Sequence, residues 1–212
     1  MTSLSPPTRS KEALRQLETS ELVELAQQDN MNALEILVER HQKMVVVTLH
    51  QLLPERGDVM DLAQDVLLRM CRSIKSLRNP RTFKYWLNRI ITNLFYDELR
   101  KVPRQLPTLS MDAAPAYEDE GDGANPTQDI PDSSTSPERQ VLHGELDEKI
   151  RQAIADLPEQ FRTMIVLREV QGLSYEEIAS LTNTNLGTVK SRLARARLRL
   201  QEQLKPYLEL LD

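Results

Sequence analysis

The chain has 212 residues, long enough for one large domain or two small ones, each with a core of its own. Hydrophobic residues make up 40% and charged residues 28%, no apolar run approaches the roughly 20 residues that span a bilayer, and the first residues, MTSLSPPTRSKEALRQL, hold no continuous apolar stretch of the signal-peptide kind. These features exclude membrane insertion and export as expectations, the single Cys71 excludes an intramolecular disulfide, and a cytoplasmic protein of formal net charge −5 is expected.

Only 4% of the residues are aromatic and six are Gly, while Leu, Glu, Gln, Arg and Ala abound. Strand-type alternation is scarce, so an all-α fold is expected. Residues 1–19 read as a flexible N-terminus. A first domain, residues 20–104, begins with a short helix through ELVELAQ, capped by Thr19 or Ser20. A long helix follows from about Asn32 to Leu53, with Leu34, Leu37, Val38, His41, Val45 and Leu49 at helical spacing. Pro54 and Gly57 break it. Asp58 then caps a helix whose Leu62, Val66, Met70 and Ile74 share one face, with Asp61 at its third position. Asn79-Pro80 starts another helix, with Pro suited to the first position and Phe83, Trp86, Leu87, Ile90, Ile91 and Leu94 buried.

The middle stretch, residues 105–137, is rich in Pro, Ser, Asp and Gly and has no hydrophobic periodicity, as in a disordered linker. It carries seven acids and no basic residue, a net of −7. Residues 1–104 have 16 basic residues against 13 acids, a net of +3, and residues 138–212 have 11 against 12, a net of −1. The acidity of the chain therefore resides mainly in its tether, and two helical domains flank it.

The second domain, residues 138–212, opens with a helix marked by Leu142, Leu146, Ile150, Ile154 and Leu157. Pro158 restarts the chain into EQFRTMIVLREV, and Gly172 ends that helix. Ser174 and Glu177 form a capping box for YEEIASL. A polar turn, TNTN, then leads into NLGTVKSRLARARLRLQ. This is the layout of a helix-turn-helix: Ala179 lets two helices approach, Asn183 suits the left-handed turn position, and Ile178 faces Val189.

On a helical wheel, Val189, Leu193, Ala196, Leu200 and Leu204 form one seam. Lys190 and Arg197 flank one side of it, and Arg192 and Arg199 the other, where they would meet phosphates. Ser191, Ala194, Arg195 and Leu198 point outward. Small residues at the N-terminal end would allow entry into a major groove. No acid occurs between Asn185 and Leu200, whereas a merely solvated surface helix mixes signs for i,i+4 pairing.

A second basic region precedes the tether. Residues 66–104 hold ten basic residues and two acids, and Arg69, Arg72, Lys75, Arg78, Arg81 and Lys84 recur at every third position beside Phe83, Tyr85 and Trp86. Cations interleaved with aromatics suit single-stranded or melted DNA. Asn88 and Asn93 add amides able to read base edges. Core packing is the competing reading for Phe83 and Trp86.

Three motifs, DVMDLAQDVLLRMCRSI, RTFKYWLNRIITNLFYDELRK and LPEQFRTMIVLREVQGLSYEEIASLTNTNLGTVKSRLARARLRL, together resemble the extracytoplasmic-function sigma factors, the smallest class of sigma-70-like proteins. The resemblance covers roughly residues 20–104 and 137–205. It implies a region 2 domain and a region 4 domain of a stress-responsive transcription initiation factor. It implies docking of Asp61, Gln64 and Asp65 on the clamp helices of the polymerase beta-prime subunit, with a further contact between the second domain and the beta flap. It implies capture of a flipped −10 base by the loop SLRNPRT, at Leu77, Arg78 and Asn79, with Trp86, Arg89 and Asn93 on the surface facing the −10 DNA. Lys190, Ser191, Ala194 and Arg195 match the −35-reading face, with Arg168 in support. An anti-sigma factor is a further partner that the resemblance admits. The sequence departs from the class in its thinned acidic cluster, GDVMD, in an apolar Leu77 where an aromatic can occur, and in a long acidic linker.

In the class this linker threads the polymerase toward the RNA exit path. A flexible coil of 33 residues spans about 30 Å. Promoter elements two helical turns apart are separated by roughly 70 Å, so the linker must stretch, inside a limit of about 110 Å. Three readings compete: a promoter-specificity subunit, a helix-turn-helix regulator with a helical sensor domain, and an enzyme. The N-terminal basic and aromatic cluster opposes the second. Three scattered histidines (His41, His50, His143) without metal-ligand spacing, and no Gly-rich phosphate loop, oppose the third. No catalytic residue, metal or cofactor is expected.

Overall fold

The computed structural model describes residues 10–101 and 137–208, so the acidic linker lies outside the described residues. Every regular element among them is helical, as the all-α reading expects. The first unit comprises α1 (Lys11–Arg15), α2 (Thr19–Gln27), α3 (Met31–Leu52), α4 (Val59–Ser73) and α5 (Phe83–Lys101). The second comprises α6 (Pro137–Ala155), α7 (Glu159–Ile165), α8 (Tyr175–Thr182) and α9 (Leu186–Leu208).

Residues 10–19, expected to be flexible, are held instead. Ser10 caps α1 by accepting from the Ala13 N–H, and Leu14 is completely buried. Lys11 pairs with Glu35 and Glu39 of α3, and Arg15 pairs with Glu39. One buried Leu supplies an anchor that the surrounding polar sequence hides from periodicity. The next cap also shifts: Glu18, rather than Thr19 or Ser20, forms a reciprocal capping box with Glu21.

Asn30 caps α3 through its side chain, and the chain leaves α3 at Leu53-Pro54. Asp58 stands at the N-cap of α4 but makes no cap hydrogen bond. Its carboxylate is held by Arg56 through bonds of 2.7 and 2.6 Å. A charge-assisted bidentate pair outcompetes the single backbone N–H that a cap would satisfy. Between α4 and α5 the chain makes two 3₁₀ turns, Ile74–Ser76 and Pro80–Thr82, so Pro80 opens a turn and α5 begins at Phe83.

In the second unit α7 does not run on as one α-helix. Residues Val166–Val170 form a π-turn in which the Gln171 N–H reaches the Val166 carbonyl, and Gly172, at φ 64°, ends it. Ser174 and Glu177 form the capping box of α8, and Asn183 takes the left-handed conformation (φ 51°, ψ 45°) at its end. Ile178 and Val189 are completely buried where α8 meets α9, and Leu193 and Ala196 continue the seam. The core is continuous across both units, from Leu22, Leu37, Leu49, Phe83 and Phe95 to Phe161, Leu167, Ile178 and Val189.

Candidate nucleic-acid interface

The basic helix α9 is built on a fixed entry. The Asn185 side chain accepts from the Thr188 N–H at 2.7 Å, and its carbonyl accepts from the Val189 N–H. Lys190, Ser191 and Ala194 are exposed and Arg195 is half-buried. The Ser191 hydroxyl donates to the Thr188 carbonyl at 3.1 Å. At positions i, i+1, i+4 and i+5 these four residues occupy one side of the second and third turns. Arg168 is half-buried and supports α8: its Nη1 donates to the Leu173 carbonyl at 2.9 Å, and its guanidinium lies 4.8 Å from the Tyr175 ring centre. Beside them the Glu176 carboxyl is held below the ordinary range, first by its own backbone N–H and then by the Ser174 hydroxyl, with Lys190 and Arg168 adding attraction.

Two cations expected at phosphates are engaged within the protein. Arg197 pairs with Glu169 at 2.9 Å and donates to the Tyr175 hydroxyl at 3.3 Å. Arg199 lies over the Phe161 ring at 4.8 Å. The concentration of positive charge along α9 therefore divides. Its second and third turns present a polar and basic surface, and its fourth turn ties α9 to α7, the π-turn and α8. Leu198 is 48% exposed, outward as its wheel position requires.

In the first unit, Arg78 and Asn79 are exposed on the loop before α5. The Asn79 side chain accepts from the Arg81 N–H at 3.1 Å, and its carbonyl accepts from the Thr82 hydroxyl at 2.8 Å. Leu77 turns inward and is only 7% exposed. Gln27 holds this loop from α2, its Nε2 donating to the carbonyls of Ile74 (3.0 Å) and Leu77 (2.7 Å). Trp86, Arg89 and Asn93 recur at i, i+3 and i+7 and share one stripe of α5. Arg89 and Asn93 are exposed, and Trp86 is half-buried, 5.8 Å from the buried Phe83 ring. Asn88, whose amide was read as a candidate base reader, is completely buried, with Nδ2 donating to the Lys84 carbonyl at 3.0 Å.

On α4, Asp61 and Gln64 are exposed, and the half-buried Asp65 pairs with Arg69 at 2.8 Å. Two apolar side chains accompany them: Met60 is 57% and Leu68 51% exposed. With Gln64 they sit at i, i+4 and i+8, an apolar-edged stripe opposite the core face. Sequence reading missed both, although this spacing on a polar face is a legible signal.

Among the described residues no group of three or more His, Cys, Asp or Glu could hold a metal ion. No described helix is long and apolar enough to cross a membrane.

Comparison with known proteins adds two family matches, "Sigma-70 region 2" over residues 37–105 and "Sigma-70, region 4" over residues 147–200. The chain is 34% identical over 195 residues to the RNA polymerase sigma-H factor of Pseudomonas aeruginosa, covering 92% of this chain and 98% of that one. It is 35% identical over 193 residues to the ECF RNA polymerase sigma-E factor of Escherichia coli, covering 91% and 97%. Its fold resembles CnrH in complex with the cytosolic domain of CnrY (TM-score 0.57, 21% identity, 89% of this chain and 97% of that chain). It also resembles the sigma factor RpoE in complex with the anti-sigma factor NepR from Bartonella quintana (TM-score 0.54, 24% identity, 79% and 94%).

Proposed function

Because the chain belongs to the sigma-70 family, as an RNA polymerase sigma factor of the extracytoplasmic-function type, we propose a division of labour among its surfaces. The α4 stripe of Asp61, Gln64 and Asp65, edged by Met60 and Leu68, docks on the beta-prime clamp helices. Carboxylates give the contact orientation and the exposed apolar groups give it affinity.

The loop and α5 read the −10 element. Asn79 holds the loop in shape, Leu77 anchors it in the core, and Arg78 meets phosphate or base. Trp86, Arg89 and Asn93 supply a stacking surface, a cation and an amide along one stripe, the combination that melted DNA needs. The second and third turns of α9 read the −35 element through Lys190, Ser191, Ala194 and Arg195, with Arg168 steadying α8. Residues 20–104 and 138–212 are the two working domains, and the beta flap receives the second. The protein acts in the cytoplasm and catalyses no covalent step itself.

The observation that carries this reading is the presence of two basic DNA-type faces on separate helical units, with a third, acidic and apolar stripe on α4. A helix-turn-helix regulator with a sensor domain accounts for only one of the three. One structurally similar protein is solved with the cytosolic domain of CnrY and another with the anti-sigma factor NepR, and an anti-sigma partner is extended to this chain from the second. The test is transcription from promoters of the source genome by purified core polymerase, with and without the protein. Initiation that depends on the protein supports the reading; no initiation from any such promoter overturns it.

A further inference from the structure

The loop between α4 and α5 is closed by a turn at each end. The Leu77 N–H donates to the Ile74 carbonyl at 3.1 Å, and the Thr82 N–H donates to the Asn79 carbonyl at 3.0 Å. Leu77, Arg78 and Asn79 join the two turns. Leu77 (φ −72°, ψ 110°) and Asn79 (φ −122°, ψ 107°) are extended; Leu77 is buried, and Arg78 and Asn79 are exposed. The two turns fix where this link starts and stops. Its rotation is set by what holds Leu77.

Leu77 is held twice. Its side chain sits in the core, and its carbonyl accepts from Gln27 Nε2 at 2.7 Å. The same nitrogen donates to the Ile74 carbonyl at 3.0 Å, so both hydrogens of one amide are spent on one turn of the loop. The Leu77–Arg78 peptide is trans, and in a planar trans peptide the N–H points opposite to the C=O. With the Leu77 carbonyl aimed at α2, the Arg78 N–H is aimed away from it.

Gln27 is the last residue of α2, and the corner behind it is fixed. Asp29 is left-handed (φ 67°), the Asn30 N–H reaches back to the Leu25 carbonyl, and the Asp29 N–H reaches the Ala26 carbonyl, the bond pattern of a Schellman end. Asn30 then caps α3. The amide is thus presented from a rigid point, 47 and 50 positions of chain from the carbonyls that it holds. Helix α2 is not itself a DNA face, because its charged residues are Glu21 and Glu24 and phosphate contact needs cations. A second tie, Lys75 to Asp29 at 2.5 Å, joins side chains that are 59% and 78% exposed, and such pairs contribute little. The directional hold of α2 on the loop therefore rests on Gln27.

Without the amide, the Ile74 and Leu77 carbonyls must find water. The Leu77–Arg78 plane then rotates as a unit about the two soft torsions that flank it, Leu77 ψ and Arg78 φ, while the Leu77 side chain stays in the core. Such rotation redirects the Arg78 N–H and the exposed side chains beside it and unfolds nothing.

We propose that Gln27 is a positioning residue for reading the −10 element. By holding the Ile74 and Leu77 carbonyls it sets the direction in which Arg78 and Asn79 are offered to DNA. Base preference at the nucleotides they meet then depends on a side chain that touches no DNA. This role rests on the function proposed above, in which the loop meets the −10 element.

The probe is a promoter found with the unsubstituted chain in the transcription test above, randomised in its −10 element in one library and in its −35 element in another. Full-length chains are compared as holoenzymes with purified core polymerase. Gln27→Met keeps the length of the side chain and removes both donors. Gln27→Glu keeps its shape and sets a carboxylate against the two carbonyls. In both variants, preference for the favoured base at one or two adjacent −10 positions should fall about fivefold or more, as for a lost base contact, while preferences at −35 stay unchanged. Gln27→Lys, which again supplies a donor, should restore the preference. Unchanged −10 preference in the folded Met and Glu variants overturns the proposal. So does an even loss of initiation on all sequences with preferences intact, since the amide would then only stabilise the loop. Thermal melts report folding; should one of the two variants fail to fold, the other decides. Arg78→Ala, on the loop itself, separates the two readings. If it changes neither −10 preference nor promoter affinity, the loop does not meet DNA, and its assignment under the proposed function falls together with the positioning role. If Arg78→Ala has an effect and the Gln27 variants have none, the positioning role alone falls.

Discussion

Arg56 Nη2 lies 3.2 Å from Glu98 Oε2, tying the turn before α4 to the last turn of α5. Glu98 is buried (5% exposed) and is also met by Lys101 at 2.6 Å, while Arg56 grips Asp58 at 2.6 Å. This chain of charges fixes the α4 stripe relative to α5, and with it the proposed polymerase-facing surface relative to the proposed DNA-facing one. Arg56→Ala should therefore destabilise the first unit by about 1–3 kcal/mol, less than a fully buried pair would lose because Lys101 still neutralises Glu98. Urea unfolding of the full chain measures this; an unchanged midpoint would show that the pair is only a surface contact.

Asn183 holds φ 51° at the end of α8, where a β-branched side chain clashes with its own backbone. Asn183→Val should lower stability by about 1–2 kcal/mol and Asn183→Gly should be close to neutral. Thermal melts of the two variants separate backbone strain from loss of the amide.

His41 packs on the Phe83 ring at 5.0 Å, and its Nε2 is buried without a partner. Burial, reinforced by Arg40 and Lys84, lowers its pKa to about 4. Unfolding restores the ordinary value of about 6.5. Between these values the unfolded chain binds the proton that the folded chain refuses, so stability falls as pH drops from about 6.5 to about 4. His41→Gln should flatten the upper part of that loss, where few carboxylates titrate. Melting temperatures of both proteins across this range check it, and parallel curves would reject the assignment.

Arg195 is half-buried on α9, on the side proposed to read the upstream element. Arg195→Ala should weaken discrimination at the upstream element by about 1–3 kcal/mol, as for a lost base contact. Binding measured against matched and mismatched upstream sequences tests it. An equal loss on all sequences would reassign Arg195 to phosphate.

Asp61→Arg reverses a charge on the exposed α4 stripe. It should weaken binding to core polymerase at least about tenfold, in the range of a lost interface charge pair, while DNA binding by the second unit is unchanged. Titration of labelled core polymerase gives the affinity, and an unaltered Kd would remove Asp61 from the docking surface.

Much of the fold was legible because its signals are local. The capping box of Ser174 and Glu177, the left-handed Asn183, the break at Gly172 and the seam of Val189, Leu193 and Ala196 each depend on a few neighbouring residues. The reading of Ser191, Ala194 and Leu198 as outward needed only the helical period. The errors share a different cause. α1 is held by a single Leu14 docked on distant helices, and Asp58 gives up its cap for Arg56. Arg197 and Arg199 look like free cations until Glu169, Tyr175 and Phe161 are brought beside them.

Charge, period and capping are properties of a short stretch of chain, and so the sequence alone determined that the protein is helical, bipartite and equipped with two basic faces. Which cations remain available to DNA, which way Leu77 and Asn88 turn, and that Thr48 meets Gln171 across 123 positions of chain were decided only by the tertiary structure. The reason is physical. A side chain's burial and partners depend on groups far away in sequence, and helical periodicity records which face a residue lies on without recording what that face meets.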